Sequence, residues 1–264
     1  MSLLQIQNCT IRYQNGAPAV DSVSMDVEQG EIISIVGESG SGKTTLIRAI
    51  LGLLPPGGKV SSGSILFNGM DIVKASEQEL EDLRGREMAM IFQDVGASMD
   101  PIRRIRQQYH ESIAVHEKLP KKEYETKALD MLRRMHLTDA ERVMDSYPFE
   151  LSGGMKQRVG IAMGMTAHPK LLLADEPTSA LDVTIQAQVV HELRQLRDQY
   201  GVTIILVTHN MGVASYLSDR IGVMRQSRMV EFGPRDEIIF RPKEQYTKDL
   251  LAAVPKLGGK RYAR

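Results

Sequence analysis

A glycine-rich run between a strand-like and a helix-like stretch constrains the fold of this chain more than any other feature. Residues 37–44 read Gly-Glu-Ser-Gly-Ser-Gly-Lys-Thr and match the pattern G-x-x-x-x-G-K-[ST] in full. The short β-branched run at 31–36 precedes it, and the helix-like stretch at 43–54, with prolines and glycines at 55–58, follows it. A glycine-rich turn with a lysine there by chance would require neither a strand before it nor a helix after it. The run therefore predicts an α/β fold in which a buried parallel strand leads through a phosphate-binding loop into a helix.

The residue types in this loop match the chemistry of a nucleoside triphosphate. Glycines allow the backbone to curl until consecutive N–H groups point at phosphate oxygens, and the following helix adds the positive end of its dipole. Lys43 supplies a charge for the β- and γ-phosphates, and the hydroxyl of Thr44 is a ligand for Mg²⁺. The residues predicted to hold the phosphates are Gly37, Glu38, Ser39, Gly40, Ser41, Gly42, Lys43, Thr44 and Thr45.

A second strand-like run ends in two acids. Residues 171–176 read Leu-Leu-Leu-Ala-Asp-Glu, so an apolar strand delivers Asp175 to the edge where the phosphate loop is expected. There Asp175 can hold Mg²⁺ through water, and Glu176 can act as the general base for an attacking water, a role worth roughly 10²–10⁴-fold in rate. Two acids after a strand are common on a protein surface. Together with the phosphate loop, they predict a hydrolytic site.

Composition excludes several classes of protein. Lys plus Arg number 33 and so do Asp plus Glu, and this balance argues against a nucleic-acid partner. The single cysteine, Cys9, excludes an intramolecular disulfide and favours a reducing cytosol. No apolar run approaches the roughly 18–20 residues that span a bilayer, and the first residues lack the pattern of a signal peptide. We therefore expect a chain that meets a membrane only through a partner.

The remaining pattern predicts two sheets and a helical insertion. Alternation predicts antiparallel strands in the first part of the chain, and a βαβ pattern near the two acids predicts a parallel sheet. Between about 94 and 144 charged, helix-favouring stretches such as 121–136 dominate, and we interpret them as an inserted helical subdomain. Strands are predicted at 4–13, 19–27, 31–36, 63–69, 88–92, 171–174, 202–207, 221–224 and 228–231, with helices at 155–167, at 185–199 and in the tail from 233.

A family resemblance rests on the order of three motifs. Leu151-Ser152-Gly153-Gly154-Met155 stands between the phosphate loop and the acids at 175–176, and this order resembles the ATP-binding cassette (ABC) ATPases from about residue 3 to 233. The resemblance implies an α/β P-loop NTPase core of ABC type with a mixed sheet, an N-terminal antiparallel β-subdomain and an inserted helical subdomain at about 94–159. It implies an ATPase domain over 1–232 and a C-terminal extension over 233–264.

The same resemblance assigns further site residues. Gln93 looks like the Q-loop glutamine, which contacts Mg²⁺ and the attacking water and senses the permease. His209 looks like the switch histidine at the γ-phosphate, Tyr13 like the aromatic that stacks on adenine, and Asp182 like the D-loop aspartate. The resemblance thus implies ATP and Mg²⁺ as cofactors, catalytic residues Glu176, His209 and Gln93, and magnesium ligands Thr44, Gln93 and Asp175.

The residue types at 151–155 predict a second anion-binding site. Ser152 is a favourable helix N-cap, and Gly153 and Gly154 leave backbone N–H groups bare at the start of a helix, which makes an anion site. By resemblance this site meets the γ-phosphate of ATP on another subunit. Met155 replaces the glutamine most common there, and we expect little loss from it because Ser152 and backbone groups contact the phosphate.

Two further stretches point to one branch of the family. Residues 146–150 (SYPFE) resemble importers, and residues 174–188 resemble the oligopeptide, dipeptide and nickel permeases. This implies a second ATP-binding subunit, identical or a sister, two transmembrane permease subunits and an extracytoplasmic substrate-binding protein, with no nucleic acid. It also implies a peripheral location at the cytoplasmic face of the inner membrane. Peptides and nickel or metal chelates stay open as cargo, because the ATPase does not touch the cargo.

Two other classes compete with this interpretation. Non-transport ABC ATPases of translation or DNA repair usually carry two cassettes in one chain or a long coiled-coil insertion, and neither is seen in these 264 residues. A P-loop kinase or GTPase would lack the motif at 151–155 and the switch histidine.

Overall fold

The computed structural model describes residues 2–14, 16–179 and 181–254. The tail residues Lys256, Lys260, Arg261 and Arg264, which give the predicted C-terminal extension its basic end, lie outside this part, as does Ala180. The strands are β1 (Ser2–Tyr13), β2 (Pro18–Glu28), β3 (Ile32–Val36), β4 (Gly58–Phe67), β5 (Met70–Asp71), β6 (Met88–Ile91), β7 (Leu171–Asp175), β8 (Thr203–Thr208), β9 (Arg220–Arg225) and β10 (Arg228–Pro234).

These strands build two sheets, and helices pack on both faces of the larger one. They are α1 (Lys43–Ile50), α2 (Glu77–Leu83), α3 (Val95–Ser98), α4 (Ile105–Ala114), α5 (Lys121–Arg134), α6 (Ala140–Asp145), α7 (Gly153–Met165), α8 (Val183–Tyr200), α9 (Met211–Leu217), α10 (Arg235–Phe240) and α11 (Gln245–Ala252). No helix of the described residues has both the length and the apolar character needed to cross a membrane.

A six-stranded mixed sheet forms the centre of the fold, in the order β10-β9-β3-β8-β7-β6. Neighbours from β9 to β6 pair in parallel, and β10 pairs antiparallel with β9. Side chains alternate between its faces, so Leu172 and Ala174 join one apolar cluster while Leu171 and Leu173 join another. This architecture confirms the predicted mixed sheet and the βαβ interpretation.

A four-stranded antiparallel sheet, in the order β2-β1-β4-β5, packs over α1. Its inward side chains, such as Ile6 and Val20, share one cluster with Ile47 and Ile50 of the helix. The strand predicted at 63–69 is longer at its start, because β4 begins at Gly58 and pairs with β1 along its length. The predicted N-terminal antiparallel subdomain is confirmed.

The helical insertion runs from α3 to α7 and packs around the fully buried Tyr109, whose hydroxyl lies 2.6 Å from Thr166 Oγ1. α7 contacts both α5 and α3 and also packs against β6, so the helix that starts at Gly153 joins the insertion to the sheet. Helices α10 and α11 pack against residues of β9 and β3 in a shared apolar cluster. The predicted domain boundary between residues 232 and 233 stays a prediction.

α1 ends earlier than predicted. The sequence suggested a helix over 43–54 ended by the prolines, but α1 stops at Ile50. Gly52 adopts a left-handed φ of 65°, the amide of Leu53 donates to the Arg48 carbonyl at 2.9 Å, and the amide of Gly52 donates to Ala49 at 3.0 Å. This Schellman closure satisfies the last carbonyls before the prolines are reached.

Candidate active site

The phosphate loop lies between the carboxyl end of β3 and α1, enclosed by neighbouring backbone. Gly37 has φ 153°, and a Cβ there would lie 2.1 Å from the Met224 carbonyl oxygen. Gly42 has φ 100°, and a Cβ there would lie 2.2 Å from the Ala19 carbonyl oxygen of β2. Both positions therefore require glycine, and the small sheet is in direct contact with the loop.

Lys43 is held inside the loop by main-chain oxygens. Its Nζ donates to the carbonyls of Gly37 at 2.8 Å and Glu38 at 2.7 Å, and it lies 3.4 Å from Ser41 Oγ. The residue is only 5% exposed. Burial lowers the pKa of Lys43, while the carboxylates of Glu176 and Asp175 act in the opposite direction. A buried ammonium of this kind can exchange carbonyl partners for phosphate oxygens.

Asp175 and Thr44 bring two oxygen ligands together beside the loop. Thr44 Oγ1 donates to Asp175 Oδ1 at 3.0 Å, across the gap between α1 and β7. Burial raises the pKa of Asp175, and the hydrogen bond from Thr44 works against this rise. A desolvated carboxylate next to a hydroxyl fits a hard divalent cation, which takes oxygen ligands. The pair is therefore suited to Mg²⁺.

Glu176 meets the other two residues assigned to catalysis. Its Oε2 accepts from Gln93 Nε2 at 3.3 Å and lies 3.2 Å from His209 Nδ1. Gln93 follows β6, Glu176 follows β7 and His209 follows β8, three adjacent strands of the sheet. The backbone of Glu176 has φ 43°, which is rare for a residue other than glycine, and its amide donates to the Val207 carbonyl at 2.9 Å. The strained backbone aims the carboxylate between its two partners.

Tyr13 ends β1 and packs on the backbone of the small sheet. A Cβ at Gly58 would lie 2.7 Å from Tyr13 Cε1, so the half-buried ring rests against that glycine. Its sheet touches the phosphate loop through Ala19. Stacking of Tyr13 on adenine stays a prediction.

Ser152 caps α7 by accepting from the Met155 amide at 3.3 Å, and Ser152 and Gly153 are both exposed. No hydrogen bond among the described residues joins this signature segment, Ser152 to Gly154, to the phosphate loop. Asp182 caps α8, accepting from the amides of Thr184 and Ile185 at 3.0 Å each.

One residue near the loop was missed by sequence reasoning. Tyr246 of α11 accepts a hydrogen bond at its hydroxyl from the Glu38 amide at 3.1 Å. No local pattern signals a contact between residues separated by 208 positions in the chain.

The chain is similar in sequence to known proteins of one family. A model of the ABC transporter family matches residues 20–179. The oligopeptide transport ATP-binding protein OppD of Bacillus subtilis is 42% identical over 97% of this chain and 72% of its own length. The dipeptide transport ATP-binding protein DppD of Escherichia coli is 41% identical over 97% and 79%.

Solved structures show the same fold. A dimeric ATP-binding cassette in a post-hydrolysis state, bound to ADP and Pi, superposes with a TM-score of 0.78 at 27% identity, covering 88% of this chain and 98% of that one. CbiO1 of Clostridium perfringens, part of an ABC transporter complex, gives 0.78 at 28% identity, covering 91% of each chain.

Proposed function

The chain belongs to the ABC transporter family and is an ATPase, and we propose that it energises the import of peptides through a membrane permease. The transport names of its relatives favour this function over a role in translation or DNA repair. Because those relatives are described as oligopeptide and dipeptide transport proteins, we propose peptides as the cargo. Nickel and metal chelates stay a prediction of the sequence.

The placement of Glu176 carries the proposed mechanism. Its carboxylate is directed by Gln93 and His209 and follows directly after Asp175, so it can take a proton from a water that attacks the γ-phosphate. Lys43 and the amides of the phosphate loop hold the phosphates in place. Thr44, Asp175 and Gln93 would hold Mg²⁺, which neutralises phosphate charge when bound.

The test of this assignment is Glu176→Gln. The amide keeps the shape of the side chain but cannot accept the proton, so we expect ATP binding to survive and turnover to fall by roughly 10²–10⁴-fold. Phosphate release and nucleotide binding are measured on the same preparation. Glu237→Gln, an exposed substitution on α10, is the matched control and should hydrolyse like the parent. Parent-like turnover in Glu176→Gln would remove Glu176 from the base role.

We also propose that the site is completed by a second ATP-binding subunit, identical or a sister. The support is the exposed N-terminus of α7, where Ser152 and Gly153 present backbone donors to the surroundings. Such a helix start binds anions well. A γ-phosphate held by the partner is the anion that the signature segment would meet.

A permease segment is the proposed occupant of the cleft beside Gln93. This cleft of about 420 Å³ lies between β6 and the helical insertion, and Leu53, Phe92 and Val115 leave large apolar surfaces exposed there. Phe92 directly precedes Gln93, so a partner in the cleft touches the segment that holds the base. We propose that the chain lies at the cytoplasmic face of the membrane through this contact, with an extracytoplasmic binding protein supplying cargo.

A further inference from the structure

Helix α11 contacts the phosphate loop through the hydroxyl of Tyr246. Tyr246 Oη accepts the Glu38 amide at 3.1 Å. The carbonyl of the same peptide unit, that of Gly37, accepts from Lys43 Nζ at 2.8 Å. One peptide plane is therefore held on both sides, by Tyr246 at its N–H and by the ammonium at its C=O. A rotation of this plane would break both bonds.

Tyr246 itself is firmly placed. It is 6% exposed, and the guanidinium of Arg225 lies 4.8 Å from the centre of its ring. The next residue, Thr247, is fully buried and donates its hydroxyl to Glu231 Oε2 at 2.6 Å.

The start of α11 is anchored by the same carboxylate. The amide of Lys243 donates to Glu231 Oε1 at 2.8 Å, and the amide of Glu244 donates to Oε2 at 3.3 Å. A carboxylate at a helix N-terminus is a stabilising cap. Glu231 lies on β10, so these hydrogen bonds anchor α11, the helix that carries Tyr246, to the central sheet.

We propose that Tyr246 is a positioning residue for nucleotide binding. Its hydroxyl fixes the peptide between Gly37 and Glu38, and that peptide in turn fixes Lys43 in the orientation from which it reaches phosphate. Helix α11 thus contributes to the nucleotide site through Tyr246. The inference rests on the proposed function in taking Lys43 as a phosphate ligand.

Tyr246→Phe tests this role, because it removes one oxygen and keeps the ring. Loss of a single hydrogen bond of this kind should weaken Mg-ATP and ADP binding about three- to tenfold. The KM for ATP should rise by a similar factor while kcat changes less, because Glu176 and its two partners are untouched. If Tyr246 had a purely structural role, the substitution would lower thermal stability without raising KM more than it changes kcat.

Tyr124→Phe is the matched control. Tyr124 is also 6% exposed, and its hydroxyl also accepts a backbone amide, that of Leu119 at 3.0 Å, within the helical insertion. The Tyr124 hydroxyl also donates to the Glu117 carbonyl, so this variant should lose at least as much stability and still keep parent-like nucleotide affinity. Hydrogen exchange adds a readout on the parent protein alone, where the Glu38 amide should be protected in the absence of nucleotide.

The outcomes separate the two proposals. Parent-like affinity in Tyr246→Phe, or a Glu38 amide in the parent that exchanges as fast as an open loop, overturns the positioning role. Equal losses of affinity in the Tyr246 and Tyr124 variants overturn it as well. If Lys43→Ala bound nucleotide like the parent, the phosphate site itself would be wrong. Loss of binding in Lys43→Ala together with an unchanged Tyr246→Phe overturns only the positioning role.

Discussion

At the scale of single residues, Lys43 and Glu176 occupy environments that a surface lysine or glutamate would avoid. The lysine ammonium is buried against carbonyls, and burial lowers its pKa. The backbone of Glu176 adopts a left-handed conformation. Both conditions cost free energy in the folded chain, and both place a reactive group where a phosphate and a water are expected.

Lys43→Ala should weaken nucleotide binding at least tenfold, because charge-assisted hydrogen bonds contribute roughly 1.5–3 kcal/mol each. Ligand binding stabilises the folded state by mass action, so Mg-ATP should raise the melting temperature of the parent and raise that of the variant far less. Lys74→Ala, which removes an exposed lysine paired with Asp71, is the control and should show the full shift. An equal shift in Lys43→Ala would refute the phosphate-loop assignment.

At the scale of elements, a largely buried contact between Arg158 and Glu192 joins α7, the helix that carries the signature segment, to α8. Arg158 of α7 places Nε 2.9 Å from Glu192 Oε1 of α8, and the two side chains are 15% and 3% exposed. His136 Nδ1 lies 3.6 Å from the same oxygen. Truncating one partner of such a pair leaves a buried charge alone. Loss of either side chain should therefore disturb the packing of α7 against α8.

The protonation of Glu192 gives this contact a pH dependence. Burial raises the pKa of Glu192 from 4.5 to about 7, and the Arg158 charge works against the rise. The folded state therefore binds the proton more tightly than the unfolded state. The stability that this proton adds is complete below the unfolded pKa and is lost as the pH rises through the folded pKa.

The free energy of unfolding of the parent should accordingly fall, relative to that of Glu192→Gln, by on the order of 2 kcal/mol between about pH 5 and about pH 7.5. The glutamine does not titrate, so the difference between the two proteins isolates this residue. Urea denaturation at both pH values measures it. Glu123→Gln, an exposed substitution on α5, should keep the parent's pH slope. Identical slopes in the parent and Glu192→Gln would contradict the shifted pKa.

At the scale of the whole molecule, the sheet gathers the loop and the catalytic residues while the helical insertion presents the signature segment separately. Gly154 packs on Ile185, because a Cβ there would lie 2.7 Å from Ile185 Cγ2. At Gly153 the nearest side-chain atom, Leu181 Cδ2, would be 3.8 Å away. Gly153 therefore accepts a side chain without a steric clash within its own chain, so substitutions there can test the proposed contact with a partner.

Gly153→Asp should leave nucleotide binding by the isolated chain intact, since its own phosphate loop is unchanged. In the proposed complex with a second ATP-binding subunit it should sharply reduce hydrolysis, because unit charges about 4 Å apart repel by several kcal/mol at an effective dielectric near 20. Gly153→Asn has the same shape without the charge and should lose much less. Binding is measured on the isolated subunit and turnover on the complex. Loss of binding in a folded, isolated Gly153→Asp chain would show that the signature segment acts on its own nucleotide.

Much of this site could be predicted from local patterns. The phosphate loop, the acids at the end of β7 and the cap at Ser152 each occupy a few consecutive residues, whose types indicate their roles. Buried strands such as β8 could be recognised because continuous β-branched runs favour them. The strand boundaries shifted by a few residues, and α1 ended early because hydrogen bonds around Gly52 closed it first.

Other features were settled by packing across the chain. The sequence by itself determined that a strand, a phosphate loop and a helix follow one another, since those contacts are between neighbours in the chain. Only the tertiary structure decided that β3 lies between β8 and β9, that Gln93 and His209 meet at Glu176, and that Tyr246 reaches Glu38 across 208 positions. Such contacts depend on how buried faces pack together, and local propensity carries no information about a partner so far away in sequence.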